Sequence, residues 1–390
     1  MNDDKREPIK ESPNGIVETK FYDFDALTLE SGEALSPVRL AYETYGKLND
    51  AKDNAILLCH ALSGDAHAAG YHTGDRKPGW WEFIVGPGRA FDTDKYFVIC
   101  SNVIGSCNGS TGPASINPKN GKKYGMDFPV VSIRDMVNAQ AKLIDHLGID
   151  KLFSVAGGSM GGMQVLEWAY SYPDRVKTAI PIATTFRHSA QQIAFNVLGR
   201  IAIQDDPVWN KGEYSETEAA LLRPLAGLQP ASGLGLARMI GHITYMSDDA
   251  MERKFGREVR NVDSSGKQID SVFEVERFLR HQGETFVKRF DANAYIYITK
   301  ALDNFNLGNN QELVKHFTGV HTKFLVISYS HDWIYPPKQS KEIVKVLKYS
   351  WANVTYCEIT QDYGHDAFLI EHDEQGVLVS NFLENVRRGE

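Results

Sequence analysis

Leu152-Phe153-Ser154-Val155-Ala156-Gly157-Gly158-Ser159-Met160-Gly161-Gly162 is the stretch that decides how this chain folds. The run from Leu152 to Ala156 is short, apolar and rich in branched or aromatic residues, which is how a buried strand reads. Met163 to Tyr172 reads as a helix, so Ser159 stands between glycines at a strand-to-helix turn, the nucleophile-elbow pattern. The turn is so tight that the serine backbone is strained, and side chains at the flanking positions would collide with neighbouring backbone. That sharpness thrusts the hydroxyl outward. It also sets Ser159 and the Met160 amide at a helix N-terminus, where unpaired N–H groups favour developing negative charge. A Gly-rich turn that only packs a helix on a sheet is the plainer reading. A phosphate loop fits less well, because the Walker lysine and the G-x-G-x-x-G spacing are absent.

Outward from the elbow, similar apolar runs recur at Ala55 to Cys59, Tyr96 to Cys100, Thr178 to Ile182, Phe324 to Ser328 and Val354 to Ile359. Between them lie helix-like segments such as Ser132 to Leu147, where apolar residues return every three or four positions. Strands alternating with helices predict an α/β fold with a mostly parallel central sheet, right-handed crossovers and helices on both faces. The alternation stops between about Thr185 and Asn310, where helix-like segments at Ser189 to Ile203, Gly235 to Tyr245 and Val272 to Phe290 suggest a helical insertion. The expected organisation is a core of residues 1–185, a helical lid over 186–310, and core again over 311–390. Two independent domains meeting near residue 186 is the alternative.

The chain has 390 residues, 42 Lys+Arg against 50 Asp+Glu, a net charge of −8 and 42% hydrophobic residues, which is an ordinary globular composition. Mild acidity argues against a nucleic-acid partner. No run approaches the roughly 18 apolar residues of a membrane-spanning helix, so no membrane partner is expected. Met1 to Asn14, polar and without an apolar stretch, reads as a solvated tail, and a cytoplasmic location is the default expectation. Cys59, Cys100, Cys107 and Cys357 form no C-x-x-C pair, so neither zinc nor a disulfide framework is expected. His60, Asp65 and His67 resemble a metal cluster, but they are read as loop structure because no further ligand is identifiable beside them.

A serine nucleophile needs a base and an orienting acid, in the chain order Ser, Asp or Glu, His for this architecture. Tyr329-Ser330-His331-Asp332-Trp333 follows one late strand, and Gln361-Asp362-Tyr363-Gly364-His365-Asp366 follows the next. Both loops leave carboxyl ends of strands, where ligands collect in open α/β sheets. Only His365 and His372 come after Asp332, and His372 lies in the charged run Glu371 to Glu374. Asp332 and His365 are therefore the expected acid and base, with Asp362 and Asp366 as alternatives for the acid.

Further segments carry a resemblance. His60-Ala61-Leu62-Ser63-Gly64-Asp65-Ala66-His67-Ala68-Ala69-Gly70, Asn102 to Pro113, the elbow with Met163 to Ala169, Ala237 to Tyr245 and Tyr363 to Leu369 closely resemble homoserine O-acetyltransferases. The likeness runs from about Tyr42 to the final helix. Departures are small: Ser63 stands where many relatives have Thr, and His331 where Ser is common. The first lies beside an expected oxyanion site and bears on the choice of acyl group.

The resemblance implies the α/β-hydrolase fold with a helical lid, and acyl transfer from acetyl-CoA to the hydroxyl of L-homoserine in methionine biosynthesis. Ser159, Asp332 and His365 would form the triad, and the backbone amides of Met160 and of Leu62 or Ser63 the oxyanion hole. Arg238 and Tyr245 are 245 − 238 = 7 residues apart, about two helical turns, and so share one face. By resemblance Arg238 would hold the acceptor carboxylate with help from Tyr245, and Asp366 its ammonium. No tightly bound cofactor is implied, acetyl-CoA being a co-substrate, and a homodimer is expected from dimeric relatives. Succinyl-CoA as donor, serine as acceptor, an esterase or thioesterase, and a non-catalytic binding protein remain as alternatives. Trp80 and Trp81 are read as anchors rather than cofactor contacts.

Overall fold

The computed structural model describes residues 12–214, 229–261, 271–370 and 373–389. The central sheet has eight strands: β1 Lys20–Phe24, β2 Val38–Tyr45, β3 Ala55–Cys59, β4 Phe97–Ser101, β5 Leu152–Gly158, β6 Val176–Ile182, β7 Lys323–Tyr329 and β8 Val354–Ile359. Their order is β1-β2-β4-β3-β5-β6-β7-β8. β1 to β2 and β2 to β4 are antiparallel and all other pairings are parallel.

Burial on both faces explains why the central strands are continuous apolar runs. Along β3, Ala55, Leu57 and Cys59 join one core cluster while Ile56 and Leu58 join the other, the period of two expected of a pleated strand. The first cluster is closed by helices α1 Ile133–His146, α2 Met160–Ser171, and by Leu313, Ile343 and Leu347 of later helices. The second is closed by Val379, Leu383 and Val386 of the helix at Asp373–Arg388. The expected helix from Ser132 to Leu147 is α1 with its caps: the Ser132 hydroxyl accepts from the Asp135 amide while the Asp135 carboxylate accepts from the Ser132 amide.

Between β6 and β7 the chain runs through α3 Ala190–Gln204, α4 Ala231–Tyr245, α5 Asp248–Phe255, α6 Glu274–Val287, α7 Ala292–Asn304 and α8 Asn310–Phe317. A β-bridge from Arg187 to Asn306 and a bond from the Leu307 amide to the Phe186 carbonyl pin the two ends of this stretch together. Three details differ from expectation. The region also holds a two-stranded antiparallel sheet, Val259–Asn261 with Ser271–Phe273, so the helix expected from Val272 starts at Glu274. Val272 and Phe273 are β-formers, whereas Glu274 and Glu276 suit a helix's first turn. α7 carries no amphipathic signal because Ala292 to Thr299 are all buried. Finally, Ser12 and Asn14, expected in a solvated tail, are tied to the core: Ser12 Oγ donates to Glu82 (2.8 Å) and Asn14 Nδ2 to the Val85 carbonyl (2.9 Å). After α8 come β7, α9 Pro337–Tyr349, β8 and α10 Asp373–Arg388. Among the described residues no helix is long and apolar enough to cross a membrane.

Candidate active site

The elbow takes the form its glycines require. Ser159 sits between β5 and α2 with φ 58° and ψ −122°, a conformation L-residues rarely hold without surrounding support. A Cβ on Gly161 would strike the Cys59 carbonyl oxygen of β3, and one on Gly158 would enter the Phe368 ring. Met160 opens α2, so its amide belongs to the first turn, whose N–H groups have no acceptor within the helix.

Both loops beyond β7 and β8 converge on Ser159. His365 Nε2 lies 2.8 Å from Ser159 Oγ, and His365 Nδ1 lies 2.7 Å from Asp332 Oδ2. The second Asp332 oxygen accepts from the amides of Ile334 (3.1 Å) and Tyr335 (2.8 Å), which fixes the carboxylate. Burial alone would lower the His365 pKa, but the charge and hydrogen bond of Asp332, with Asp366 adding charge, hold it above 6.5. Neither alternative acid bonds the imidazole Nδ1. Asp362 is ion-paired with Arg253 of α5, and Asp366 lies beside the imidazole without bonding its Nδ1. His372 lies outside the described residues.

Leu62 and Ser63 are the central residues of a turn closed by the Gly64 amide on the Ala61 carbonyl (2.9 Å), and Leu62 lines a narrow cavity with Ser159, Tyr245, Tyr295 and Tyr335. Arg238 projects from α4 toward this turn. Its guanidinium lies 4.8 Å from the Phe286 ring centroid and 5.6 Å from that of Tyr245, and Nη1 donates to Ser63 Oγ at 3.4 Å. The Tyr245 ring stands 6.0 Å from that of His365. Burial raises the Asp366 pKa, opposed by His365 and Arg238. Arg238 thus lies over Tyr245, and Tyr245 and Asp366 lie beside His365.

Two residues went unremarked in the sequence. Tyr335 gives its amide to Asp332, stacks its ring on His365 at 4.8 Å and 24°, and places its hydroxyl 2.7 Å from His188 Nε2. Its position three residues after the acid was the available signal. Arg289, just beyond α6, donates to the Ser63 carbonyl at 2.8 Å and lies 5.2 Å from the other side chain's platform, Phe286. Nothing in its sequence surroundings marked it.

The loop residues behave as anchors. Burial lowers the His60 pKa, and its Nδ1 is bonded to the Ala61 carbonyl while Nε2 accepts from the Val103 amide. Asp65 accepts from the His67 amide, Trp80 Nε1 donates to the Asp65 carbonyl, and Trp81 Nε1 to the Phe368 carbonyl. The segment after α4 is latched to both catalytic loops: the Ser247 amide donates to the Tyr363 carbonyl (3.2 Å) of the base's loop, Trp333 Nε1 of the acid's loop donates to the Met246 carbonyl (3.0 Å), and Gly364, at φ 90°, leaves no room for a Cβ beside the Ser247 amide.

Comparison with known proteins agrees with this geometry. The alpha/beta hydrolase fold family matches residues 54–372. A homoserine O-acetyltransferase of Methanohalobium evestigatum is 58% identical over 372 residues, covering 95% of this chain and 74% of that protein. This chain belongs to the homoserine O-acetyltransferase family. The crystal structure of the Bacillus anthracis homoserine O-acetyltransferase superposes with a TM-score of 0.84 at 31% identity, covering 94% of this chain and 98% of that one. The crystal structure of esterase E22 superposes equally well, with a TM-score of 0.84 at 32% identity over 94% of this chain and all of that one. The homoserine O-acetyltransferase family therefore shares its backbone with an ester hydrolase.

Proposed function

We propose that this chain transfers an acetyl group from acetyl-CoA to the side-chain hydroxyl of L-homoserine through an acetylated Ser159, as a step in methionine biosynthesis. The observation that carries the reading is the hydrogen-bonded series Ser159, His365, Asp332 at the foot of a helix that presents Arg238. Relatives of more than half identity that bear the acetyltransferase name support the choice of substrates.

In the first half-reaction His365 Nε2 takes the Ser159 proton as Oγ attacks the thioester carbonyl. Negative charge gathers on the carbonyl oxygen, facing the amides of Met160 and of Leu62 or Ser63. One such donor contributes about 2.7–4 kcal/mol to the transition state. Collapse breaks the C–S bond, and His365 returns its proton to the departing thiolate. In the second half-reaction the acceptor hydroxyl gives its proton to His365 and attacks the acetyl-serine carbonyl, and Ser159 leaves reprotonated. Arg238 takes the acceptor carboxylate, with Tyr245 beside it, and Asp366 takes the ammonium, each charge meeting its opposite.

Thiol release from acetyl-CoA and from succinyl-CoA, each with homoserine, with serine and with no acceptor, tests this reading. Turnover confined to acetyl-CoA with homoserine supports it. Release that needs no acceptor would make the chain a hydrolase like its esterase neighbour, and release with a different pair would reassign donor or acceptor.

The working unit we infer is a cytoplasmic homodimer. Val197, Leu198 and Ile201 of α3 and Leu236 and Ile243 of α4 are exposed apolar side chains on two helices that pack together, which supports this reading. The four cysteines are free thiols, which suits a reducing compartment. Sedimentation should give twice the mass of one chain, and a monomer at micromolar concentration would overturn the assignment.

A further inference from the structure

We propose that Glu43, His67 and His72 form a binding site for a divalent transition-metal ion, which fastens the segment after the oxyanion turn to the antiparallel edge of the sheet. The sequence hides this group, because its carboxylate lies on β2, remote from the two histidines. The structure brings one ligand atom from each within 4.8 Å of the others.

The Glu43 side chain is 0% exposed, His67 12% and His72 35%, so the group has a buried anion, an intermediate wall and an opening to solvent. Glu43 Oε2 lies 2.9 Å from His67 Nδ1, and Oε1 lies 2.7 Å from His72 Nε2. Neighbouring ligand atoms in a tetrahedral zinc site stand about 3.4 Å apart, so a retreat of roughly half an ångström at each imidazole admits the ion. The two rings lie 3.8 Å apart between centroids and tilted by 30°, so they must also splay by roughly 1 Å to converge on one tetrahedral ion. Around them stands a supporting shell. Thr19 Oγ1 donates to Glu43 Oε1 (2.9 Å), Tyr45 Oη to Oε2 (2.8 Å), and the Asp75 carboxylate sits 3.5 Å from His72 Nδ1. A metal-bound histidine commonly turns its far N–H to such a carboxylate.

Two imidazoles and one carboxylate with no thiolate suit zinc, cobalt, nickel or ferrous iron over calcium or magnesium, which prefer all-oxygen shells. On binding, the ion replaces the hydrogen now shared between each imidazole and Glu43, and the nitrogen facing the carboxylate becomes the ligand; the far nitrogen of His67, Nε2, is buried with no hydrogen-bond partner among the described residues. The ion joins three segments: the strip before β1 through Thr19, β2 through Glu43, and the loop of His67 and His72. The same strip is bonded to that loop by the Val17 amide on the Tyr71 carbonyl (2.9 Å).

The test uses the full chain, stripped with a chelator, then dialysed against Zn2+ and against Co2+. The native chain is expected to retain one equivalent more zinc than His72→Gln, to unfold at a higher temperature with zinc than without, and to show visible cobalt d–d bands that His72→Gln lacks. Equal metal content with superposable cobalt spectra would overturn the proposal and leave a proton-bridged cluster. Should His72→Gln fail to fold, Asp75→Asn serves instead. Loss of its outer carboxylate is expected to weaken zinc about 10- to 100-fold, and unchanged zinc affinity would overturn the site.

Discussion

Asp332→Asn isolates what the buried carboxylate contributes. The Asn oxygen can still accept from the amides of Ile334 and Tyr335, now 3.1 and 2.8 Å from the carboxylate, so the loop keeps its shape. The amide nitrogen then faces His365 Nδ1, at the 2.7 Å now spanned by a charged acceptor. A donor there forces Nδ1 to accept and moves the imidazole proton to Nε2, the nitrogen that must be bare to take the Ser159 proton. A wrong tautomer of this kind costs about 10^4-fold in a serine triad, which is about 5.4 kcal/mol of barrier. The assay is the burst of thiol from acetyl-CoA without acceptor, one equivalent per active site, followed by stopped flow across pH. With the Asp332 charge gone, burial acts on His365 against the Asp366 charge only, so any residual acid limb should also move to lower pH. Turnover within tenfold of the native chain would refute the claim that Asp332 sets the tautomer.

For the native chain, the raised His365 pKa places the acid limb of the burst rate above pH 6.5, with activity lost as the imidazole is protonated below it; a limb below 6.5 would contradict the Asp332 charge. The linked stability runs the opposite way, being present below the unfolded-state value and lost as pH rises through the raised folded value. Arg238→Ala should raise the acceptor KM about 10- to 100-fold, the loss of a charged hydrogen-bond partner worth about 1.5–3 kcal/mol, while leaving the acceptor-free burst intact; an unchanged KM removes Arg238 from the acceptor site. Tyr335→Phe keeps the amide to Asp332 and the stack on His365 but strands His188 Nε2, so urea unfolding should show a loss of about 1–3 kcal/mol. A fall in turnover as deep as that of Asp332→Asn would instead put the hydroxyl in the chemistry. Gly161→Ala sets a methyl against the Cys59 carbonyl, backbone against backbone, and should cost about 4 kcal/mol or more; a native melting temperature would show that the elbow has slack.

The parts of this fold that could be read in advance are those in which local pattern and burial agree. β3 was legible end to end because a strand buried on both faces is simply apolar, and α1 because Ser132 and Asp135 mark its start while its stripe repeats every three or four residues. β1 and β2 were not legible. Arg39 and Glu43 interrupt the apolar run of β2, and the residue that spoiled the pattern, Glu43, is fully buried against two histidines far along the chain. The triad could be read from loop position alone, since topology confines active groups to carboxyl ends of strands. Arg289 could not, because its contact with the Ser63 carbonyl spans 226 residues and depends on how the lid docks.

Where the chemistry is decided follows from the same comparison. Esterase E22 and this chain share a backbone, so a serine, a histidine and an elbow cannot by themselves choose between water and an amino-acid hydroxyl. What must differ is the cost of letting water reach the acetyl-serine relative to the gain from a bound acceptor. On the reading proposed above, the acceptor side is carried by the helical insertion. Arg238 rests on Phe286 and Tyr245 in an aromatic setting that leaves its guanidinium weakly hydrated, and Ser63 holds it beside the oxyanion turn. On that reading an arriving carboxylate would exchange with the Ser63 hydroxyl, a weak 3.4 Å contact that costs little to break. Binding energy gained there, remote from the scissile bond, positions the acceptor hydroxyl at His365, which is how a transferase can outrun hydrolysis in water of tens of molar. Arg238 and Arg289, rather than the triad beneath them, are therefore where exchanging transferase for hydrolase activity should be sought.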